Sequence, residues 1–293
     1  MDKRPVEVLV ISDIHLGTYG CHAKELLTYL QSVSPKILIL NGDIIDGWQF
    51  SKRYFPVTHM MVIREIMKMA SQGVRVIYIT GNHDEFLRRY TDVQWGHFQL
   101  TDKIVMEIDG KMTWIFHGDV FDATTKGTAK IIAKLGGHGY DLLIMANSCI
   151  NWILRRLGKE KMSLSKRVKQ SVKKAVAWID NFEQTAAELA IEKEYDYVIC
   201  GHIHQPQKRE MANAKGKVTY MNSGDWIENL SSLEYYNGDW HIYQFDASKM
   251  LQPSTPVVKM HHHAPAINVV TDEIAYFFHS LSGSSPIVPT PGS

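Results

Sequence analysis

Cysteine is scarce in this sequence, with only three residues of that type among 293. Cys21, Cys149 and Cys200 show no paired spacing, which argues against a disulfide framework and indicates a reducing compartment. An excess of charge of one sign is absent too, because 32 Lys and Arg residues stand against 31 Asp and Glu residues. The formal net charge of +1 therefore gives no reason to infer a polyanionic partner from overall charge.

The sequence also lacks a hydrophobic run long enough to cross a bilayer. The charge-free apolar stretch near the middle, residues 142–154, falls short of the roughly 20 residues that a spanning helix needs. The first residues run directly into a strand-like segment, without the apolar region and cleavage site of a signal peptide. We therefore expect a cytoplasmic protein, and peripheral contact with the inner membrane remains open.

The sequence does contain short apolar runs rich in β-branched residues, each ending in polar, Gly-containing sequence. The five runs are 6–13, 37–43, 74–84, 112–119 and 195–204. Continuous apolar runs of this kind are typical of strands buried on both faces. Helical patterns at about 22–33 and 57–72 separate the first three runs, which predicts a βαβαβ start. The predicted fold class is α/β, a layered sandwich whose sites gather at the carboxyl ends of strands.

The pattern changes after the fourth run, because residues 124–192 have apolar positions at helical spacing almost throughout. This block interrupts the α/β pattern, and we expect it to form a cap over the site. Two further strands are predicted at 217–225 and 240–246. We assign residues 1–250 to one domain that includes the insertion, and residues 251–293, rich in Pro, Ser and His, to a loosely structured tail.

Each of the five runs ends in a cluster of side chains that bind metals. The clusters are Asp13-Ile14-His15, Gly42-Asp43-Ile44-Ile45-Asp46, Gly81-Asn82-His83-Asp84, His117-Gly118-Asp119 and Gly201-His202-Ile203-His204. Five such clusters favour one shared site at a sheet edge over five unrelated turns. Carboxylate, imidazole and amide ligands suit Mn, Fe or Zn, and their number predicts two ions that share a carboxylate. Two cations about 3.5–4 Å apart can hold a bridging hydroxide for in-line attack on phosphorus.

In this order the motifs resemble those of the calcineurin-like metallophosphoesterase family, over about residues 6–246. The resemblance implies a four-layer α/β/β/α sandwich and two divalent metal ions, with Mn expected and Fe, Zn or Co as alternatives. One ion would be bound by Asp13, His15, Asp43 and His204. The other would share Asp43 as the bridging ligand, and its set is Asp43, Asn82, His117 and His202.

The resemblance also implies a catalytic pair beside the metals, His83 and Asp84. His83 would contact the phosphoryl group without binding a metal, and would protonate the leaving oxygen. Either Asp84 or Asp46 would orient the imidazole of His83.

Within the family the chain is most similar to the branch that contains UDP-2,3-diacylglucosamine diphosphatases, enzymes of lipid A synthesis. The similarity rests on Gly42-Asp43-x-x-Asp46-x-Trp48, on the compact His117-Gly118-Asp119 and on the helical insertion. The sequence departs from that branch at His83, where the branch carries Arg, and at Asp46, where it carries Glu. The resemblance implies hydrolysis of a pyrophosphate or phosphodiester such as UDP-2,3-diacylglucosamine. Another small phosphodiester or phosphomonoester is one alternative, and a non-catalytic protein-binding scaffold is an alternative of a different class.

Two segments are candidates for contact with the substrate. Trp48, Arg53 and Tyr54 follow the second motif, on a loop expected beside the metals. Arg155 and Arg156 begin a strongly basic segment, which has three alternative interpretations. It is a solvated helix face, a surface for a phosphate-bearing substrate or an anionic membrane, or a nucleic-acid contact. The absence of an accompanying aromatic ladder argues against the last interpretation. We therefore expect a small nucleotide- or lipid-linked phosphate substrate and no specific nucleic acid, while the oligomeric state stays open.

Overall fold

Two β-sheets pack face to face in this protein, and helices cover their outer faces. The computed structural model describes residues 3–48, 54–121 and 164–246, with side chains from residue 177 onward in the last range. These ranges contain three α-helices: α1 (Ala23–Ser32), α2 (Val57–Ser71) and α3 (Leu164–Glu192). A 3₁₀ helix spans Glu85–Tyr90.

The larger sheet contains seven strands. They are β1 (Arg4–Ile11), β2 (Val33–Asn41), β3 (Arg75–Ile79), β4 (Val93–Trp95), β5 (Phe98–Thr101), β11 (Ser231–Tyr236) and β12 (Asp239–Gln244). Their order across the sheet is β12-β11-β1-β2-β3-β5-β4. β1, β2, β3 and β5 run parallel, whereas β11, β12 and β4 pair antiparallel with their neighbours. The parallel strands place their carboxyl ends at one edge of the sheet.

The smaller sheet contains five strands. They are β6 (Lys103–Ile108), β7 (Lys111–Phe116), β8 (Tyr197–Cys200), β9 (Gln207–Asn213) and β10 (Gly216–Asn222). Their order is β6-β7-β8-β10-β9. β7, β8 and β10 run parallel, and β6 and β9 close the two sides of the sheet as antiparallel partners.

The side chains of β1 alternate between two separate parts of the core. Val8 and Val10 lie in the cluster between the two sheets, whereas Leu9 and Ile11 pack with residues of α1 and α2 on the outer face. Both faces of the strand are therefore buried in apolar surroundings. This explains why the sequence of β1 is continuously apolar and does not alternate with polar residues.

The helix α3 covers the outer face of the smaller sheet. Phe182, Ala186 and Ala190 lie four residues apart on one side of the helix and pack in a cluster that includes Trp114 and Tyr220. The order of layers is therefore helices, larger sheet, smaller sheet and helix. The predicted α/β/β/α sandwich is confirmed.

The placement of α3 differs from the cap that we predicted for residues 124–192. Its described side chains form the fourth layer of the sandwich, because they pack on the smaller sheet. The rest of that insertion and the predicted tail, 251–293, lie outside the described residues. In the described ranges no helix combines the length and the apolar composition that crossing a membrane requires.

Candidate metal centre

The predicted ligands follow five strands that belong to both sheets. Asp13 and His15 follow β1, and Asp43 follows β2. Asn82 and His83 follow β3 in the same sheet. The remaining ligands follow strands of the smaller sheet, His117 after β7 and His202 and His204 after β8. Because the two sheets pack face to face, their strand ends meet and bring these loops together.

Five of these residues have a left-handed backbone conformation that side chains with a Cβ rarely adopt. The φ angles are +52° at Asp13, +54° at His15, +54° at Asp43, +67° at His202 and +58° at His204. Each such residue costs on the order of 1–2 kcal/mol. Hydrogen bonds between the loops offset part of this cost, among them Asp13 N to Gly42 O at 3.0 Å and His15 N to Asp43 O at 2.9 Å. The strain is concentrated at the predicted ligands, as is common at functional sites.

The ligand atoms form three overlapping groups, in each of which all atoms lie within 4.8 Å of one another. The groups are Asp13, His15 and His204; His15, Asp43 and His83; and Asp43, His117 and His202. Asp43 is shared, and its Oδ2 lies 3.3 Å from His117 Nε2 and 3.9 Å from His15 Nε2. The carboxylate of Asp43 thus belongs to two of the groups at once, as a bridging ligand would.

Several polar atoms of this cluster are buried without a hydrogen-bond partner in the described structure. They are Asp13 Oδ1, His15 Nε2, Asn82 Oδ1 and His117 Nε2. A buried polar atom without a partner is costly, and these four are donor atoms that a divalent cation accepts as ligands. The residues present therefore fit the divalent ions that the sequence motifs imply.

Two glycines allow the loops to approach this closely. A Cβ at Gly81 would overlap Asp43 Oδ1 and would lie 2.6 Å from Asp43 N. A Cβ at Gly42, where φ is +79°, would overlap the imidazole of His117. Close contact with a proposed ligand requires glycine at both positions, and at Gly42 the backbone conformation requires it as well.

His83 is oriented by Asp46. Its Nδ1 lies 3.0 Å from Asp46 Oδ2, and the same oxygen lies 3.3 Å from His15 Nδ1. Burial alone would lower the pKa of His83, but the hydrogen bond that His83 donates to Asp46 and the charge of Asp43 outweigh it and raise that pKa above the usual value. The imidazole thus lies between two carboxylates, with Nε2 4.0 Å from Asp43 Oδ2.

Asp84 has a different position from the one that its place beside His83 in the sequence suggests. It is fully buried, and its carboxylate accepts hydrogen bonds from Tyr78 Oη at 2.6 Å, Ile44 N at 2.9 Å and Gly81 N at 2.5 Å. Burial and the charge of Asp43 raise the pKa of Asp84. The carboxylate of Asp84 holds the loops after β2 and β3 together, whereas Asp46 contacts His83. The geometry thus favours a positioning role for Asp84 over the predicted catalytic role.

Histidine cations and carboxylates balance one another in this cluster. Burial disfavours charge on His117, yet Asp43 and Asp13 raise its pKa well above the usual value. Burial likewise opposes charge on His204, but Asp13 raises the pKa of His204 to about 10. In turn, burial would raise the pKa values of Asp13 and Asp43, and the neighbouring histidines lower both below the usual range. Each histidine must lose its proton before it can bind a metal.

The predicted substrate residues are only partly described. Trp48 is 49% exposed, and its ring lies 4.3 Å from that of His83. Tyr54 is half-buried and packs against Tyr19, which is 84% exposed, with ring centres 3.7 Å apart. Arg53, Arg155 and Arg156 lie outside the described residues.

Sequence reasoning missed the aromatic contact between α3 and the ligand loops. The rings of Trp178 and Phe182 lie 5.9 Å and 6.3 Å from that of His202, and the edge of Phe182 packs on Gly118. The helical spacing of these residues predicted an apolar face, but it carried no sign of which loop that face would contact.

Comparison with known proteins agrees with this geometry. Residues 6–206 match the model of the calcineurin-like phosphoesterase family, and the chain belongs to that family. It is therefore a phosphoester hydrolase of the metallophosphoesterase type.

The curated relatives include proteins named UDP-2,3-diacylglucosamine hydrolase. One from Aliivibrio fischeri (strain MJ11) is 25% identical over 240 residues, which cover 81% of this chain and 98% of the relative. One from Neisseria gonorrhoeae (strain ATCC 700825 / FA 1090) is 27% identical over 237 residues, 80% of this chain and 95% of the relative. Among solved structures, a novel archaeal phosphodiesterase is 15% identical, with a TM-score of 0.39 over 81% of this chain and 98% of that one.

Proposed function

We propose that this protein is a hydrolase dependent on two metal ions that cleaves the pyrophosphate of UDP-2,3-diacylglucosamine or of a similar nucleotide-linked lipid. The position of Asp43 between two groups of ligand atoms carries the dinuclear part of this proposal. The names of the relatives, UDP-2,3-diacylglucosamine hydrolase, support the substrate. The presence of every predicted ligand argues against a non-catalytic scaffold.

The proposed ligand sets combine residues from the observed groups with Asn82, whose buried Oδ1 has no hydrogen-bond partner in the described structure. The first is Asp13, His15, Asp43 and His204, and the second is Asp43, Asn82, His117 and His202. When bound, two divalent ions neutralise the charge of the phosphoryl oxygens and lower the pKa of bound water. Oxygen and nitrogen ligands of this kind suit Mn first, and also Fe, Zn or Co.

The two oxygens of Asp43 have separate tasks in this proposal. Oδ1 accepts a hydrogen bond from His83 N at 2.8 Å, which fixes the orientation of the carboxylate. Oδ2 then points toward the imidazoles of His15 and His117. Because the carboxylate cannot rotate without breaking the first contact, the site is preorganised for two cations.

His83 supplies the proton in the proposed reaction. Its Nδ1 is held by Asp46, so Nε2 is the atom free to donate to the oxygen of the leaving group. The hydrogen bond to Asp46 and the charge of Asp43 raise the pKa of His83, which favours retention of this proton. Asp46 acts as a positioning residue, and it also holds His15 through Nδ1.

Trp48 forms one wall of the proposed substrate site because its exposed ring covers one side of His83. Tyr54, together with Arg53, Arg155 and Arg156, is proposed to contact the remainder of the substrate. We propose a cytoplasmic location with peripheral contact between the basic segment and an anionic inner membrane, where a lipid-linked substrate would be found.

A second candidate function is hydrolysis of another small phosphodiester or phosphomonoester. His83 favours it, because the diphosphatase branch carries Arg at that position. An imidazole supplies a proton to the leaving group, whereas a guanidinium stays charged and serves for binding alone.

The deciding experiment removes the metal, reloads the protein with Mn²⁺ and offers UDP-2,3-diacylglucosamine beside a bis-aryl phosphodiester. Release of UMP that the Asp43→Ala variant abolishes would support the proposed substrate. Hydrolysis of the aryl ester alone would favour the second candidate. If neither compound is cleaved with Mn, Fe, Zn or Co, the proposal fails and the scaffold interpretation takes its place.

A further inference from the structure

Asp225 is a fully buried carboxylate in the loop after β10, next to the metal-ligand cluster. Its Oδ1 accepts three successive backbone N–H groups, from Ile227 at 2.9 Å, Glu228 at 2.7 Å and Asn229 at 2.9 Å. Its Oδ2 lies 3.3 Å from His204 Nδ1. One oxygen thus organises the loop, and the other faces an imidazole of the cluster.

We propose that Asp225 is a positioning residue that fixes the tautomer and the orientation of His204 as a metal ligand. Oδ2 accepts the hydrogen from Nδ1, so that the lone pair of Nε2 is left for a metal. Nε2 is the atom on the cluster side, 3.1 Å from Asp13 Oδ1. This inference rests on the proposed dinuclear function, and it assigns a task to a residue outside the ligand set.

The carboxylate of Asp225 has little freedom to turn away from His204. Three N–H donors hold Oδ1 in place, and Asn229 Nδ2 also donates to Oδ2 at 3.1 Å. The same Nδ2 lies 2.7 Å from the backbone oxygen of His204. Both the ring and the backbone of His204 are therefore attached to the turn 225–229, which helps to hold its left-handed φ of +58°.

The same turn also holds Asp13, another ligand of the first ion. Trp226 N donates to Asp13 O at 3.1 Å, and His22 N donates to Trp226 O at 3.0 Å. By contrast, His117 of the second set is oriented from elsewhere, because its Nδ1 lies 2.9 Å from the backbone oxygen of Asn41. A change at Asp225 should thus weaken binding of the first ion and leave binding of the second ion unchanged.

Asp225→Asn tests this inference sharply because it changes one atom. The three N–H donors still require an oxygen at the Oδ1 position, so the amide NH₂ must face His204. That NH₂ favours the opposite tautomer, in which Nδ1 accepts and Nε2 carries the hydrogen that blocks a metal. Loss of a carboxylate partner of this kind typically weakens metal binding by about 10–100-fold.

The matched control is Asp239→Asn. Asp239 also accepts a backbone N–H, from Trp240 at 2.8 Å, but it is the first residue of β12 and is paired with Lys208. Mn²⁺ would be titrated into each metal-free protein by calorimetry, and the pair of ions would be followed by electron paramagnetic resonance. For Asp225→Asn we expect calorimetry to find one ion bound with wild-type affinity and the other with an affinity about 10–100-fold lower. When metal is limiting, the electron paramagnetic resonance signal of the spin-coupled pair should be lost. The control should keep both ions.

The inference would be overturned if a folded Asp225→Asn variant bound both Mn²⁺ ions with wild-type affinity. If the variant does not fold, nitrogen NMR of the wild-type protein with Zn²⁺ decides, because the inference requires His204 to bind zinc through Nε2 and to keep its hydrogen on Nδ1. Zinc bound through Nδ1 would overturn it. If the wild-type protein itself binds fewer than two ions, the dinuclear proposal fails and this inference falls with it.

Discussion

The substitution Gly81→Ala probes how closely the loops after β2 and β3 must approach. Gly81 does not have a positive φ, so an alanine there is acceptable to the backbone itself. The added Cβ would nevertheless overlap Asp43 Oδ1 and lie 2.6 Å from Asp43 N. Asp43 N is a backbone atom, and Asp43 Oδ1 is held by the hydrogen bond from His83 N, so the relief must come from movement of a loop that carries the proposed bridging ligand.

The expected cost follows from that overlap. Overpacking in a tight core costs about 1–3 kcal/mol. Displacing Asp43 also weakens the hydrogen bond from His83 N to its Oδ1, which is 2.8 Å long and charge-assisted. Such a bond contributes about 1.5–3 kcal/mol, so we expect a total loss of about 2.5–6 kcal/mol in the free energy of unfolding. A shift of Asp43 by about 1 Å should lower kcat/KM on the order of 100-fold.

Urea denaturation of the metal-free protein and hydrolysis of a bis-aryl phosphodiester with Mn²⁺ measure the two effects. Gly216→Ala is the control, because Gly216 is exposed and a Cβ there would meet only Ile191 Cγ2 at 3.4 Å. We expect the control to change stability by less than about 1 kcal/mol and activity hardly at all. A Gly81→Ala variant that matched the control in both assays would refute the argument that contact with Asp43 makes this glycine necessary.

Three other perturbations address the proton donor, the substrate wall and the charge balance. His83→Gln should lower kcat on the order of 100-fold while the metal content stays at the wild-type level, and an unchanged kcat would exclude His83 as the donor. Trp48→Ala should raise KM for UDP-2,3-diacylglucosamine up to about tenfold and leave KM for a small dialkyl phosphodiester unchanged. Equal effects on both substrates would contradict the proposal that Trp48 forms one wall of the substrate site. The pKa of His204 is raised from 6.5 to about 10, so its contribution to the stability of the metal-free protein is full below pH 6.5 and is lost as the pH rises toward 10. Thermal melts in chelator should therefore shift downward across that window while Mn²⁺ binding tightens, and melts that rise with pH would contradict the assignment.

The strands that carry the ligands could be predicted from the sequence because they are buried on both faces. In β1, alternate residues fill two different apolar clusters, and this produces an uninterrupted apolar run that ends abruptly at the polar Ser12 and Asp13. Such runs are visible without knowledge of the partner strands. The convergence of the ligands also followed, since parallel strands place their carboxyl ends together.

Other strands could not be predicted in the same way. β9 is largely exposed, β4 has three residues, and β11 has a polar sequence although it is buried. In β11, Glu234 accepts hydrogen bonds from Tyr29 and Arg4 of distant segments. A strand whose polar residues are satisfied by remote partners has no local signature of burial.

The choice between two neighbouring carboxylates was also beyond the sequence. Asp84 adjoins His83 in the sequence, and Asp46 belongs to the preceding motif. Only the three-dimensional path of the loops decides which of the two carboxylates faces the imidazole. Asp84 lies beside the donors Tyr78 Oη and Ile44 N, and these contacts turn its oxygens toward the loop interior. The direction of a side chain in a loop depends on such nonlocal donors, and residue type does not encode it.

The division of the ligands between two sheets has a consequence for how the protein reaches its functional state. Asp13 and Asn82 are supplied by the larger sheet, whereas His117, His202 and His204 are supplied by the smaller one. The order of synthesis places His204 nearly two hundred residues after Asp13. A chain that has formed only the larger sheet offers three of the four proposed ligands of the first ion and two of the four of the second, so neither set is complete. Tight uptake of both ions therefore reports that the two sheets have docked, and chelation should favour partly assembled chains over complete ones.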